Sequence, residues 1–369
     1  MTRCSAASFG LGFAVQISFL YSFCRPFSTN NYVRNARHNN PATLHPFRHH
    51  GTSSQSPSLL QSQTLDFIEP TTGVRVKLVG AMHYNPASIK LATDTINALA
   101  AEDKLGSIII ESCDIRWNAT LENELVQSAL QSEMRAAHDL GLYYERPVVL
   151  GDQRINITVN ALKSGAKEAV TDLLQPWNGG WGRLFDGIRL AREEAVPIGD
   201  QYLGIDSFFN PDLLFAAPVS LVKYPLSYFV KSPVLGVVVA VLIVLLSGDE
   251  ASANINAIAS QEASDTDMLI SVLISALETV VFARIFLKEL LADRNEVLAV
   301  NILEQCRNYE TTKSGGWNFF QSKSYADKSI GAVYAPDSVV AKPEEGKVVV
   351  AILGLAHCNG IKKILTEKR

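Results

Sequence analysis

Four short apolar runs punctuate the chain, and each stops at a polar residue. Residues 74–80 (VRVKLVG) lead to His83, 106–110 (GSIII) to Glu111, 147–150 (PVVL) to Gly151 and Asp152, and 347–353 (KVVVAIL) to Gly354 and His357. All are rich in β-branched residues and have the length of buried strands. The early runs alternate with helical patterns. Asn85 followed by Pro86 supplies an N-cap and a proline at the first helical position, opening a helix over about 86–101. A second helix is expected over 121–140, with Leu121, Leu125 and Ala129 on one face and Gly141 where a C-cap belongs. This order predicts an α/β fold: a central mixed, partly parallel sheet flanked by helices.

The pattern changes over 208–290, an apolar helical insertion. Residues 232–248 carry no charge, and at 1.5 Å per residue such a run barely crosses a bilayer core. Residues 213–230 are apolar apart from Lys223, and 268–287 are apolar apart from Glu278 and Arg284. A spanning hairpin, an in-plane anchor and a buried helix all fit this pattern. A single crossing would put His83 and His357 on opposite sides of a membrane. A last long helix is expected over 269–306, with room for a break. Leu287, Leu291, Arg294, Leu298 and Ile302 share one face of it, which puts Arg294 inside an apolar stripe. Asp293 lies beside it, in line with Phe286, Leu290 and Val297. A charge there needs a partner. Arg294 and Asp293 either form an internal ion pair or point into a site at the strand ends. Residues 312–345, rich in Gly, Ser, Lys and Pro, read as a surface insertion.

Charge divides the chain unevenly. Residues 1–65 hold five Arg, no Lys and no acid, and the first carboxylate is Asp66. An apolar run over 8–23 precedes a stretch rich in Ser, Thr, Asn, His and Arg. Residues 1–60 therefore read as a targeting leader, signal-like then transit-like, ahead of a body over 66–369. The expected destination is an organelle, plastid or mitochondrion, with a secretory signal as the alternative. The net charge of −4 gives no basic balance for nucleic acid. Outside the leader, Cys113, Cys306 and Cys358 form no paired framework and read as core thiols. His138 reads as a surface residue of the 121–140 helix.

Ligand sites in open α/β sheets lie beyond the carboxyl ends of parallel strands. His83, Glu111, Asp152 and His357 all fall just past such ends, so they converge if their strands are parallel neighbours. Each also has a plainer reading: either histidine as a hydrogen-bonded turn residue, Glu111 as an ion-pair partner of Arg116 or Arg294, and Asp152 as a turn former. Arg116 and Arg154 would in that case only neutralise Glu111 and Asp152. The chain has no H-E-x-x-H, Walker loop or G-x-S-x-G.

Five segments, in order, resemble the TraB/PrgY family, which is related to the Tiki-type metalloproteases. They are Gly80-Ala-Met-His83, IIIESCDIRW (108–117), LGDQRINIT (150–158), ADRNEVLAVNI (292–302) and VVVAILGLAHCNGI (348–361). The resemblance implies an α/β domain with two G-x-x-H turns, filled here by His83 and His357, and an acidic residue at Glu111. It further implies that Arg116, Asp152, Arg154 and Arg294 belong to the site, and it implies metal-dependent peptidase activity. The family often shows Glu-Arg-Asp at the late helix, where this chain has Asp293-Arg294-Asn295.

Two imidazoles and a carboxylate make a first shell for a divalent metal, with Mn, Co or Zn as candidates. Water on that metal would attack a carbonyl, with Asp152 or another carboxylate as base and Arg116, Arg154 or Arg294 on the developing oxyanion. The expected function is thus a metal-dependent, peptidase-like hydrolase of a peptide or protein substrate, associated with an organelle membrane. The alternative is a non-catalytic membrane-associated domain that binds a peptide or partner protein as a tether or regulator. Oligomeric state has no sequence signal.

Overall fold

A computed structural model describes residues 63–122, 131–231, 265–310 and 333–367. The leader over 1–60 and the charge-free run over 232–248 lie outside the described residues, as does most of the 312–345 segment.

The described strands form one six-stranded sheet. In chain order they are β1 (Thr64–Ile68), β2 (Arg75–Ala81), β3 (Leu105–Ile110), β4 (Val148–Leu150), β5 (Val333–Tyr334) and β6 (Val348–Gly354), and their spatial order is β1-β2-β6-β3-β4-β5. The pairs β2–β6, β6–β3 and β3–β4 are parallel, whereas β1 and β5 add antiparallel edges. The sheet is thus mixed, as expected, and its four central strands are the four apolar runs. β3 and β6 are buried at every position. That explains why they read as continuous apolar segments rather than alternating ones. β1 and β5 have no clear sequence signal: β1 begins at the expected leader boundary, and β5 has only two residues.

Helices cover both faces. On one side, α1 (Pro86–Ala101), α2 (Asp114–Leu121) and α3 (Glu133–Tyr143) bury Leu91, Ile96, Trp117 and Ala137 against Ile108, Ile110, Val350 and Ile352. On the other, α8 (Asp293–Arg307) and α9 (Leu355–Thr366) bury Leu298, Ile302, Ile361 and Leu365 against Leu78, Ile109, Val349 and Ala351. Asn85 caps α1 by accepting from the Ala87 N–H at 2.9 Å, with Pro86 at the first position as predicted. A satellite core joins α4 (Ile155–Leu174), α5 (Gly180–Ala195) and α7 (Asp265–Ile285) through Val159, Leu162, Leu184, Val281 and Ile285.

Three local expectations need correction. The 121–140 helix is not continuous: α2 ends at Leu121 and α3 starts at Glu133, while Leu125 and Ala129 lie outside the described residues. Gly141 is no C-cap: it lies inside α3, where an added Cβ would collide with Val148 Cγ2, so the glycine lets α3 approach β4. His138 is buried, not on the surface, with its ring 5.0 Å from that of Trp117.

Along the late helix, α7 passes through a π-helical segment, Phe286–Ala292, into α8. Among the described residues no helix is long and apolar enough to cross a membrane. α6 (Pro211–Lys231) and α7 nevertheless expose large apolar side chains, including Phe215, Leu221 and Val222 on the first and Leu269, Val272 and Leu273 on the second.

Candidate functional site

The insertion of β6, last in sequence, between β2 and β3 brings the two G-x-x-H turns together. β2 ends at Ala81, two residues before His83. β6 ends at Gly354, which starts α9 and so places His357 in that helix's first turn. Glu111 directly follows β3, on the other side of β6 from β2. Gly354 marks the meeting point. A Cβ built there would lie 3.1 Å from Glu111 Oε2, 3.5 Å from His357 Cδ2 and 3.5 Å from His83 Nε2. Residues from three strand ends thus surround one backbone position that has no side chain of its own.

Glu111 is held at both oxygens. Oε2 accepts from the Gly354 N–H at 2.5 Å and Oε1 from Arg294 Nη2 at 2.5 Å, while His357 Nε2 stands 3.4 Å from Oε1. Burial opposes its charge, but the His357 imidazole and the Arg294 guanidinium outweigh that penalty and hold the carboxyl well below the ordinary range. Asp152, fully buried at its side chain, accepts from Arg294 Nε at 3.0 Å and from Arg294 Nη2 at 2.6 Å, and also pairs with Arg116. Burial raises its pKa, and Arg294 and Arg116 lower it further than burial raises it. Arg294 therefore bridges two buried carboxylates, and its own pKa moves up despite burial because both face it.

Around this centre the other expected residues fall differently. Arg116 pairs with Asp152, where its ion-pair reading gave Glu111. Arg154 does not: it donates to Asp114 at 2.7 Å. The segments Asp114-Ile-Arg116 and Asp152-Gln-Arg154 are thereby cross-linked by reciprocal ion pairs, a clasp between the start of α2 and the turn into α4. Asp293, expected to accompany Arg294, stands close enough to Glu289 of the π-helical segment to perturb its carboxyl. Burial, and then the Asp293 charge, push the Glu289 carboxyl up to about 7.

Two further partners back the histidines, one of them outside every sequence motif. His83 Nδ1 lies 2.6 Å from Glu133 Oε1, and the Tyr84 N–H donates to the other oxygen at 3.1 Å. His357 Nδ1 lies 2.6 Å from Asn295 Oδ1. Each imidazole is thus bonded through Nδ1 to an acceptor behind it, and each turns its Nε2 edge toward Glu111 and Gly354. Burial disfavours a charged His83, yet Glu133 and Glu111 raise its pKa to about 9. No motif points to Glu133, a lone glutamate opening a helix. Asn295 was visible, but as a missing carboxylate rather than as a support.

Among the described residues, no group of three or more His, Cys, Asp or Glu is arranged to hold a metal ion. The donor set explains why. The two imidazoles present nitrogen edges suited to a borderline metal, a fit strengthened by their backing partners. Glu111, the third expected donor, is already engaged by Arg294 and the Gly354 N–H. A metal at His83 would also have to displace the proton favoured there. The residues therefore fit a metal at the imidazoles and not at the carboxylate.

The fold is a three-layer α/β sandwich with its polar centre at the carboxyl edge of four parallel strands. Comparison with family models, with curated proteins and with solved structures found no match.

Proposed function

We propose that the chain is a hydrolase of carbonyl substrates, peptide-like in class, with His83 and His357 acting across one centre. The observation that carries this reading is the pair of imidazoles at the point over Gly354, His83 Nε2 and His357 Cδ2 each 3.5 Å from it, with His357 Nε2 3.4 Å from a carboxylate held ionised. His357, whose Nδ1 proton goes to Asn295, offers Nε2 to take a proton from an attacking water. His83, backed by the Glu133 carboxylate, donates toward the developing oxyanion or leaving group. Arg294 keeps Glu111 and Asp152 charged and fixed, so the field around the reacting carbonyl is preorganised. A divalent ion (Mn, Co or Zn) held at the imidazoles would add a Lewis acid and an acidified water. The likeness of the five motifs to the TraB/PrgY family, in family order, supports the same class.

The test is cleavage of a mixed peptide library by the purified chain, with and without each metal, read by mass spectrometry. Cleavage reduced about 100-fold or more in His357→Ala is expected. No cleavage under any metal, with both histidine variants folding normally, would contradict the reading. That outcome would favour the second one, a non-catalytic binding domain. The engagement of Glu111 and Asp152 by arginines, which leaves neither as a ready base, supports that alternative.

We further propose that the chain associates with an organelle membrane. The support is the exposed apolar side chains on α6 and α7, the helices that flank the charge-free residues 232–248.

A further inference from the structure

We infer that Glu133 is the positioning residue of His83 and Asn295 its counterpart at His357, so that two chemically unlike imidazoles face the same point. This rests on the site proposed above, because it assigns what holds that site's two rings.

Glu133 opens α3 and is 1% exposed. A buried carboxylate is costly unless its charge is compensated. Here one oxygen meets the His83 ring and the other the Tyr84 N–H, so the carboxylate grips the turn at two adjacent residues. Tyr84 has φ 61°, a left-handed conformation that a bulky residue adopts only when its surroundings enforce it. The α3 N-terminus adds a favourable field for the charge. An ionised carboxylate only accepts, so Nδ1 carries a proton and the Nε2 edge faces Gly354.

Asn295 repeats the arrangement without the charge. It is buried on α8, and its carbonyl oxygen accepts a hydrogen bond from the His357 Nδ1–H. Gly360 of α9 makes the room: a Cβ there would collide with Asn295 Nδ2. The two rings are therefore oriented alike but electronically unlike, one backed by an anion and one by a neutral amide. The anion makes His83 the stronger proton acceptor and donor ligand of the two.

The test is NMR of the chain with ¹⁵N-labelled histidine, which has seven ring systems in all. His83→Gln and His357→Gln identify the two sets of signals. Both rings are expected to carry a proton on Nδ1, with the His83 Nδ1 proton the more deshielded and slow to exchange. Glu133→Gln, which keeps the shape, should move that proton upfield. Glu133→Ala should abolish its protection, and the His357 signals should stay in place in both variants. Asn295→Asp should shift the His357 Nδ1 proton downfield. An Nε2–H tautomer at His83, or His83 signals unchanged by Glu133→Gln, would overturn the inference. No step requires turnover. A chain that cleaves nothing but shows the two pinned rings would refute the hydrolase reading alone.

Discussion

At the scale of single residues, Arg294 carries the most electrostatic weight. It is the shared cation of Glu111 and Asp152, both buried. Removing one partner of a buried ion pair leaves charges with no compensation and costs about 3–5 kcal/mol. Arg294→Gln is therefore expected to lower unfolding stability by that amount, read from urea midpoints. A change under about 1 kcal/mol would mean that Arg116 alone suffices. Glu289 gives a second residue-scale prediction. Its carboxyl is raised to about 7 by burial and by Asp293. Between the ordinary carboxyl value and about 7, the folded chain holds a proton that the unfolded chain has released. Stability must then fall as pH rises through that window. Glu289→Gln should raise Tm at pH 8 and leave it nearly unchanged at pH 4.5. An equal shift at both pH values would show that the effect is packing, not charge.

At the scale of elements, the four central strands and the cap of α1 were legible because each carries its signal locally. β-branched runs of strand length and an Asn-Pro helix start need no tertiary information. Asp293 was grouped with Arg294, but successive residues of a helix point about 100° apart, so one site need not hold both. The π-helical segment Phe286–Ala292 inserts an extra residue into a turn and rotates the rest of the helix, and nothing in the residue types announces it. Gly141 was misread for a related reason: a glycine near a helix end fits both a C-cap and a close helix–strand contact. The structure chooses the contact, and this is testable. Gly141→Ala drives a methyl into Val148 Cγ2, so destabilisation of about 1–3 kcal/mol is expected in thermal or urea unfolding. A stabilised variant, as helix propensity alone predicts, would contradict the packing described.

At the scale of the whole molecule, the sheet order is the decisive feature. Placing β6 between β2 and β3 joins residues far apart in sequence at one edge. The strand ends were visible in the sequence as candidates for convergence, but their adjacency was not, since strand order leaves no mark in any single run. Glu133 was invisible for the same reason: its function exists only once α3 lies behind His83. The apolar faces of α6 and α7 also belong to this scale. The chain is expected to float with vesicles of anionic lipid. Phe215→Ser with Leu221→Ser should reduce that recovery several-fold. Full recovery in the soluble fraction for the unaltered chain would contradict membrane association.

The central claim is that His83 and His357 work as one reaction centre. It is tested most directly by a double-mutant cycle on cleavage of the best peptide substrate, using His83→Ala, His357→Ala and the two combined. Groups that act as a unit give losses that do not add. The account predicts that the double variant is no slower than the worse single one. Losses that multiply, or a single variant that keeps full turnover, would contradict it.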